Sequence, residues 1–140
     1  MRALVLMMIL ALGLAGCGDK TGAPGAGEIS HVVDPSTPKG VAEAYFAAAS
    51  AGDKEGMLSL GTPEWREREA TWTKGFTHHI AEKGWRPKVE KWRGPTEADD
   101  GTIRLSAKVL FTNPEGEEDG EGMTFTLIKD GDRYWIKDLK

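Results

Sequence analysis

Cysteine is nearly absent from this chain of 140 residues, because Cys17 is the only one. An intramolecular disulfide is therefore excluded. An excess of positive charge is also lacking, since 18 Lys and Arg stand against 22 Asp and Glu and the formal net charge is −4. This acidic balance argues against nucleic acid as a partner, because binding to phosphates needs clustered cations. It also gives no net attraction toward anionic lipid.

An apolar run long enough to cross a bilayer is missing as well. Residues 3–16 carry no charged or hydrogen-bonding side chain, but a transmembrane helix needs about 20 such residues. The positive Arg2, the apolar middle and the small residues at the end are typical of a secretory signal. A buried helix would need a polar edge, which this segment does not have. We therefore predict a signal peptide over residues 1–16.

The end of this signal contains the one cysteine, within Leu14-Ala15-Gly16-Cys17. These four residues resemble the lipobox of bacterial lipoproteins. The resemblance implies a diacylglycerol on the Cys17 sulfur, cleavage before Cys17, and acylation of the new amino terminus by a fatty acid such as palmitate. Two or three acyl chains anchor a domain stably, whereas one binds only marginally. Because Gly18 rather than Asp follows the cysteine, family analogy favours the outer membrane in an organism that has one, with the domain on the periplasmic side of the cell envelope.

Residues 17–36 are rich in Gly, Pro, Ala, Ser and Thr and show no periodic apolar pattern. This composition is typical of a flexible tether, which would span about 25 Å on average. The folded domain is predicted over residues 37–140. Its first helix begins with Thr37 as the cap and Pro38 in the first turn, where the missing N–H costs nothing.

Two further helices are predicted before the strands. A short helix follows Asp53, and a third runs from Pro63 to about Lys83. Gly75 lies in the middle of the third and costs about 1 kcal/mol of helix propensity, which favours a kink or a close contact there. His78 and His79 fall near its carboxyl end, and because adjacent helical side chains diverge by about 100° they cannot hold one metal ion together.

After Gly84 the apolar period changes from 3.6 to 2, which indicates strands. We predict them over residues 85–93, 103–112, 123–127 and 134–139, with an acidic, glycine-rich loop running to Gly122. The acidic residues of that loop lack the spacing of a calcium-binding loop. Helices followed by four antiparallel strands predict an α+β fold, with the helices packed on one face of a curved sheet.

Two segments resemble the nuclear transport factor 2-like superfamily. Residues 37–49 (TPKGVAEAYFAAA), followed by Gly52-Asp53, are similar to its opening helix, and residues 131–139 (GDRYWIKDL) are similar to its final strand. The resemblance implies a cystatin-like cone with a pocket between the helices and the bent sheet. The β-hairpin that the commonest members insert between helices is missing before residue 84, which places the chain with shorter lipoproteins of unknown function.

Aromatic residues are the main candidates for a pocket. Strict alternation would put Trp85 and Trp92 on opposite faces of the first strand, so one ring would leave the core. Tyr134 shares a face with Ile136 and Asp138, which raises the hypothesis of an acid–base pair. The residues expected to line a pocket are Tyr45, Trp72, Phe76, Phe111, Phe125 and Tyr134.

No pattern in the sequence compels catalysis, and we predict neither a metal ion nor a cofactor. The leading hypothesis is a non-enzymatic envelope domain that binds a small apolar ligand or a protein partner. A small pocket enzyme of the isomerase or cyclase type is the alternative, because the superfamily contains both classes and a fold does not choose between them.

Overall fold

A computed structural model describes residues 34–140. The predicted signal peptide, Cys17 and nearly all of the predicted tether lie outside the described residues. The elements are α1 (Pro38–Ala51), α2 (Lys54–Leu58), α3 (Pro63–Thr71), α4 (Phe76–Lys83), β1 (Arg86–Glu97), β2 (Ile103–Thr112), β3 (Glu118–Asp130) and β4 (Arg133–Leu139). The strands form one antiparallel sheet in the order β1-β2-β3-β4. The predicted α+β fold is therefore confirmed. Within residues 34–140, no helix combines the length and the apolar character needed to cross a membrane.

The helix starts follow from local chemistry. The Thr37 hydroxyl accepts a hydrogen bond from the backbone N–H of Gly40 at 3.0 Å, and Pro38 occupies the first turn of α1. Thr62 caps α3 in the same way, by accepting from the N–H of Trp65. Side-chain caps of this kind satisfy N–H groups that the helix itself leaves free. Both predicted starts are confirmed.

The prediction of one long third helix is wrong, because residues 72–75 separate α3 from α4. Trp72 adopts an extended backbone at the end of α3, and Gly75 precedes α4. A Cβ atom at Gly75 would lie 2.7 Å from the Trp72 ring, so the chain is tightly packed at this break. His78 and His79 consequently lie in the amino-terminal half of α4, not near the carboxyl end of a long helix.

The sheet differs from the predicted one in two places. β3 begins at Glu118, so the second half of the predicted acidic loop is strand, paired with the end of β2. In β1, a register shift between Val89 and Lys91 brings both Val89 and Trp92 opposite core residues of β2. Such a bulge adds one residue to one strand and shifts its alternation. Trp85 and Trp92 therefore both pack against the core, contrary to the expectation from strict alternation.

Aromatic rings fill the space between α1 and the sheet. Tyr45 and Phe46 of α1 both meet Phe125 of β3 edge to face, with ring centroids 5.5 and 5.6 Å apart. Edge-to-face contacts suit the ring quadrupoles, and buried rings contribute strongly to core stability. On the other side, the segment between α2 and α3 covers the outer edge of β4, where Thr62 N–H donates to the Ile136 carbonyl at 2.8 Å. The middle of the space between the helices and the sheet is thus packed with side chains.

Candidate ligand cleft and buried carboxyl

One end of the concave face opens into a cleft between α4 and the sheet. The rings of Phe76 and Phe111 stack there, with centroids 5.6 Å apart and planes inclined by 11°. The cleft has a volume of about 190 Å³. Complete ligand pockets usually measure about 300–1,000 Å³, so this space suits one ring or a short aliphatic group. We call it the aromatic cleft, and it is lined by Phe76, His79, Trp85, Phe111, Asp119 and Glu121.

Strand register explains why this end differs from the core. Phe111 is the last inward-facing residue of β2, and it pairs with Asp119, while Val109 pairs with Glu121. The inward-facing positions of β3 are apolar at Met123, Phe125 and Leu127 and then become acidic at positions 121 and 119. Because side chains alternate along a strand, both carboxylates lie on the same face as the buried rings, where the sheet meets solvent.

A side groove continues from the aromatic cleft toward the end of β4. It shares Phe76, His79 and Glu121 with the cleft and reaches Trp72 and Leu139. Trp72 is 44% exposed, and within residues 34–140 the other large apolar side chains are buried or half-buried. The groove therefore leads from the cleft to the exposed ring of Trp72.

The structure places the predicted pocket residues in three environments. Phe76 and Phe111 lie together in the aromatic cleft, and Trp72 lies in the side groove that adjoins it. Tyr45 and Phe125 are fully buried in the core. Tyr134 packs half-buried against the core, with the Lys129 ammonium 5.8 Å from its ring.

Four lining residues were not among the predicted ones: His79, Trp85, Asp119 and Glu121. The acidic pair was assigned to a loop, and only the register of β3 on β2 shows that the two carboxylates face the rings. Trp85 could have been found from its position directly after the helix-ending Gly84, at the junction of the helical and sheet layers.

The hypothesis of a Tyr134–Asp138 pair is not supported by the register. A shift between Thr126 and Leu127 places Asp138 opposite Thr126, whereas Ile136 lies opposite Leu127. The Asp138 carboxylate instead pairs with the Arg68 guanidinium at 2.6 Å. The bulge interrupts the alternation on which the hypothesis depended.

A second polar feature lies inside the core. Glu69 of α3 is only 2% exposed, and within the described residues its Oε1 atom has no hydrogen-bond partner. Burial raises the pKa of this carboxyl, while the Thr77 hydroxyl and Arg68 oppose that rise in part. Burial also holds the pKa of the Tyr45 phenol well above its usual value. Glu69 and Tyr45 are not part of the lining of the aromatic cleft.

The described residues contain no metal-binding site of the usual kind. Across residues 34–140, His, Cys, Asp and Glu side chains do not form a group of three or more that could hold an ion. His78 and His79 are neighbours, with ring centroids 6.0 Å apart and planes at 83°.

Comparison with known proteins gives a result for the fold alone. No family model matches the chain, and no curated protein matches it either. The fold is similar to that of a SEC-C motif containing protein from Rhodopseudomonas palustris, with a TM-score of 0.51 and 13% identity, covering 76% of this chain and 80% of that one. It is also similar to a designed NTF2-like protein, a variant of Rd1NTF2_05, with a TM-score of 0.52 and 14% identity, covering 73% and 93%. The domain therefore has an NTF2-like α+β fold.

Proposed function

We propose that this chain is a lipid-anchored protein of the bacterial cell envelope whose folded domain binds a small apolar ligand in the aromatic cleft. The cleft itself carries the proposal, because it is a concave, ring-lined space at the open end of a fold whose centre is packed. Apolar clefts with a few polar groups at the rim are the usual form of a small-molecule site.

The size of the cleft sets the expected affinity. Burying about 100 Å² of apolar ligand surface contributes about 2.5 kcal/mol, and association itself costs several kcal/mol. A single-ring compound should therefore bind weakly, with a Kd in the millimolar range or weaker. A ligand that also covers Trp72 in the side groove should bind more tightly.

The binding test uses the full-length protein with Cys17→Ser, to keep it free of lipid, and the fluorescent compound N-phenyl-1-naphthylamine. We expect a rise in dye fluorescence that Phe76→Ala weakens severalfold, because Phe76 lines both the cleft and the side groove. Trp135→Phe is the matched control, since Trp135 is also a half-buried ring but lies under Arg133, 3.8 Å from the guanidinium. Equal dye binding by wild type and Phe76→Ala would refute the proposal.

The anchor rests on the lipobox resemblance at Cys17 and is tested separately. We expect that cells expressing the protein incorporate labelled palmitate into it, and that Cys17→Ser abolishes the label. Globomycin, which inhibits the lipoprotein signal peptidase, should cause the uncleaved form to accumulate. Labelling that persists in Cys17→Ser would show that the anchor is wrong, without bearing on the cleft.

An isomerase-like activity is the second candidate, favoured by one observation. Glu69 is a buried carboxyl beside the Tyr45–Thr77 pair. Burial raises its pKa, and a carboxyl with a raised pKa can act as a general acid or base. Binding remains the better-supported function, because these groups are outside the lining of the aromatic cleft. An activity that is lost in Glu69→Gln while dye binding persists would favour the enzyme.

A further inference from the structure

The aromatic cleft has a charge as well as an apolar wall. Asp119 and Glu121 lie on the inward face of β3, two residues apart, and the next inward positions of that strand, Met123, Phe125 and Leu127, are buried and apolar. Both carboxylates are exposed, so they keep their hydration and cost the fold little. His79 is the one basic side chain among the six lining residues.

Neither of these two carboxylates is neutralised by a salt bridge in the part of the chain that the structure describes. Within residues 34–140, the salt bridges engage Glu43, Glu82, Glu90 and Asp138 but neither Asp119 nor Glu121. Lys74 and Lys140 line the neighbouring side groove, to which Glu121 also belongs, but neither lysine lines the aromatic cleft. The rim of the cleft is therefore acidic on its β3 side.

Aromatic rings beside carboxylates that make no salt bridge favour the binding of organic cations. An organic cation is attracted to the ring quadrupoles and also to the two negative charges. An anion of the same shape would meet repulsion from both carboxylates, and a neutral analogue would gain only the apolar contact. The pairing of rings and acids thus discriminates among ligands by the charge of the head group.

We propose that the ligand of the aromatic cleft is a small organic cation, with an apolar body against Phe76, Trp85 and Phe111 and a protonated amine or quaternary ammonium facing Asp119 and Glu121. This inference rests on the proposed function, because it specifies the ligand class of the same cleft. Since the carboxylates are exposed, the preference for the cation over a neutral analogue is about three- to tenfold.

The test compares three compounds with one apolar body: 4-phenylbutylamine, 4-phenylbutanol and 4-phenylbutanoate. Each is titrated into ¹⁵N-labelled Cys17→Ser protein at neutral pH, and chemical shifts of residues 76–85 and 109–121 report the binding. We expect affinity to fall in the order amine, alcohol, carboxylate. In about 0.5 M NaCl, where the Debye length is roughly 4 Å, the advantage of the amine should shrink while alcohol binding persists.

Two charge-removing variants locate the effect. The double variant Asp119→Asn with Glu121→Gln should bring the amine to the affinity of the alcohol and leave the alcohol unchanged. The control, Glu115→Gln with Glu118→Gln, removes the same net charge, from the turn and from the residue that pairs with Thr112 on the alternate face of β3. In the control the preference for the amine should persist.

The outcomes separate the two proposals. If the alcohol binds as well as the amine, or if the amine preference survives in the Asp119/Glu121 variant, the cationic ligand is wrong and the apolar cleft stands. If none of the three compounds shifts the cleft residues, the proposed binding function fails and the cationic ligand fails with it.

Discussion

The phenol oxygen of Tyr45 lies 3.0 Å from the hydroxyl oxygen of Thr77, and this buried hydrogen bond joins α1 to the start of α4. Both side chains are fully inaccessible to solvent. The bond fixes α4 after the break at residues 72–75, and α4 in turn holds Phe76 and His79 at the aromatic cleft. The position of the cleft wall therefore depends on a polar contact made inside the core.

Tyr45→Phe removes the phenol oxygen and keeps the ring. We expect a loss of about 1 kcal/mol in the free energy of unfolding, the usual net contribution of a buried hydrogen bond. Urea unfolding followed by circular dichroism measures it. Tyr134→Phe is the control, because its ring is half-buried, and its change should stay within about 0.5 kcal/mol. Equal losses in the two variants would contradict the role given to the Tyr45–Thr77 bond.

Glu69→Gln should change how stability depends on pH. Burial raises the pKa of Glu69 in the folded state above the unfolded value of about 4.3. Its stabilising contribution is therefore complete below the unfolded pKa and is lost as pH rises through the folded pKa. The variant has no charge to bury, so its stability relative to wild type should rise as the pH increases from the unfolded pKa through the folded pKa.

Urea unfolding of both proteins across this range tests the sign of the Glu69 effect. Glu67→Gln, on the exposed side of the same helix, serves as the control and should show a nearly constant difference from wild type. A Glu69→Gln difference that does not vary with pH would show that the buried carboxyl is not the source.

Gly61→Ala should destabilise the fold, because a Cβ atom at this position would collide with the ring of Trp65. Trp65 is 1% exposed and cannot move into solvent without losing its packing. Overpacking of this kind costs about 1–3 kcal/mol. Thermal unfolding measures the loss, and Gly120→Ala is the control because open space surrounds that position. A Gly61→Ala protein as stable as the control would show that the ring relocates easily.

Thr37→Ala should lower stability by about 1 kcal/mol, since it removes the side chain that caps α1. Thr37→Ser keeps the hydroxyl and should retain most of the stability. Comparing the two by urea unfolding isolates the cap from the loss of the methyl group. If Ser and Ala at this position give the same stability, the cap contributes nothing measurable.

Local signals in the sequence predicted the layout well. Thr37-Pro38 and Thr62-Pro63 set two helix starts, and the alternation from Ile103 to Phe111 defined β2 with its buried face. Such signals depend only on neighbouring residues. The helix break at Trp72–Gly75 depends instead on tertiary packing, and Gly75 alone indicated only that a distortion was favoured there.

Bulges and long-range register limited the prediction of the site. The bulge near Glu90 has no sequence pattern that distinguishes it, yet it reverses which face Trp92 occupies. Glu69 ends a run of four charged residues, 66–69, although it is four residues after Trp65 and three before Trp72 and so shares their side of a helix. Only the pairing of β3 with β2 shows that Asp119 and Glu121 face the aromatic cleft.

The contact between the α2–α3 segment and β4 has a consequence for association. Leu60 and Thr62 both bond to the backbone of Ile136, which occupies hydrogen-bonding groups on the outer edge of β4. The opposite edge, β1, carries Lys88, Lys91 and Pro95, and charge and proline both discourage a strand from another molecule. If many copies are confined to one membrane, crowding would bring these edges together often. The covered groups of β4 and the charges and proline of β1 would then disfavour strand pairing between copies.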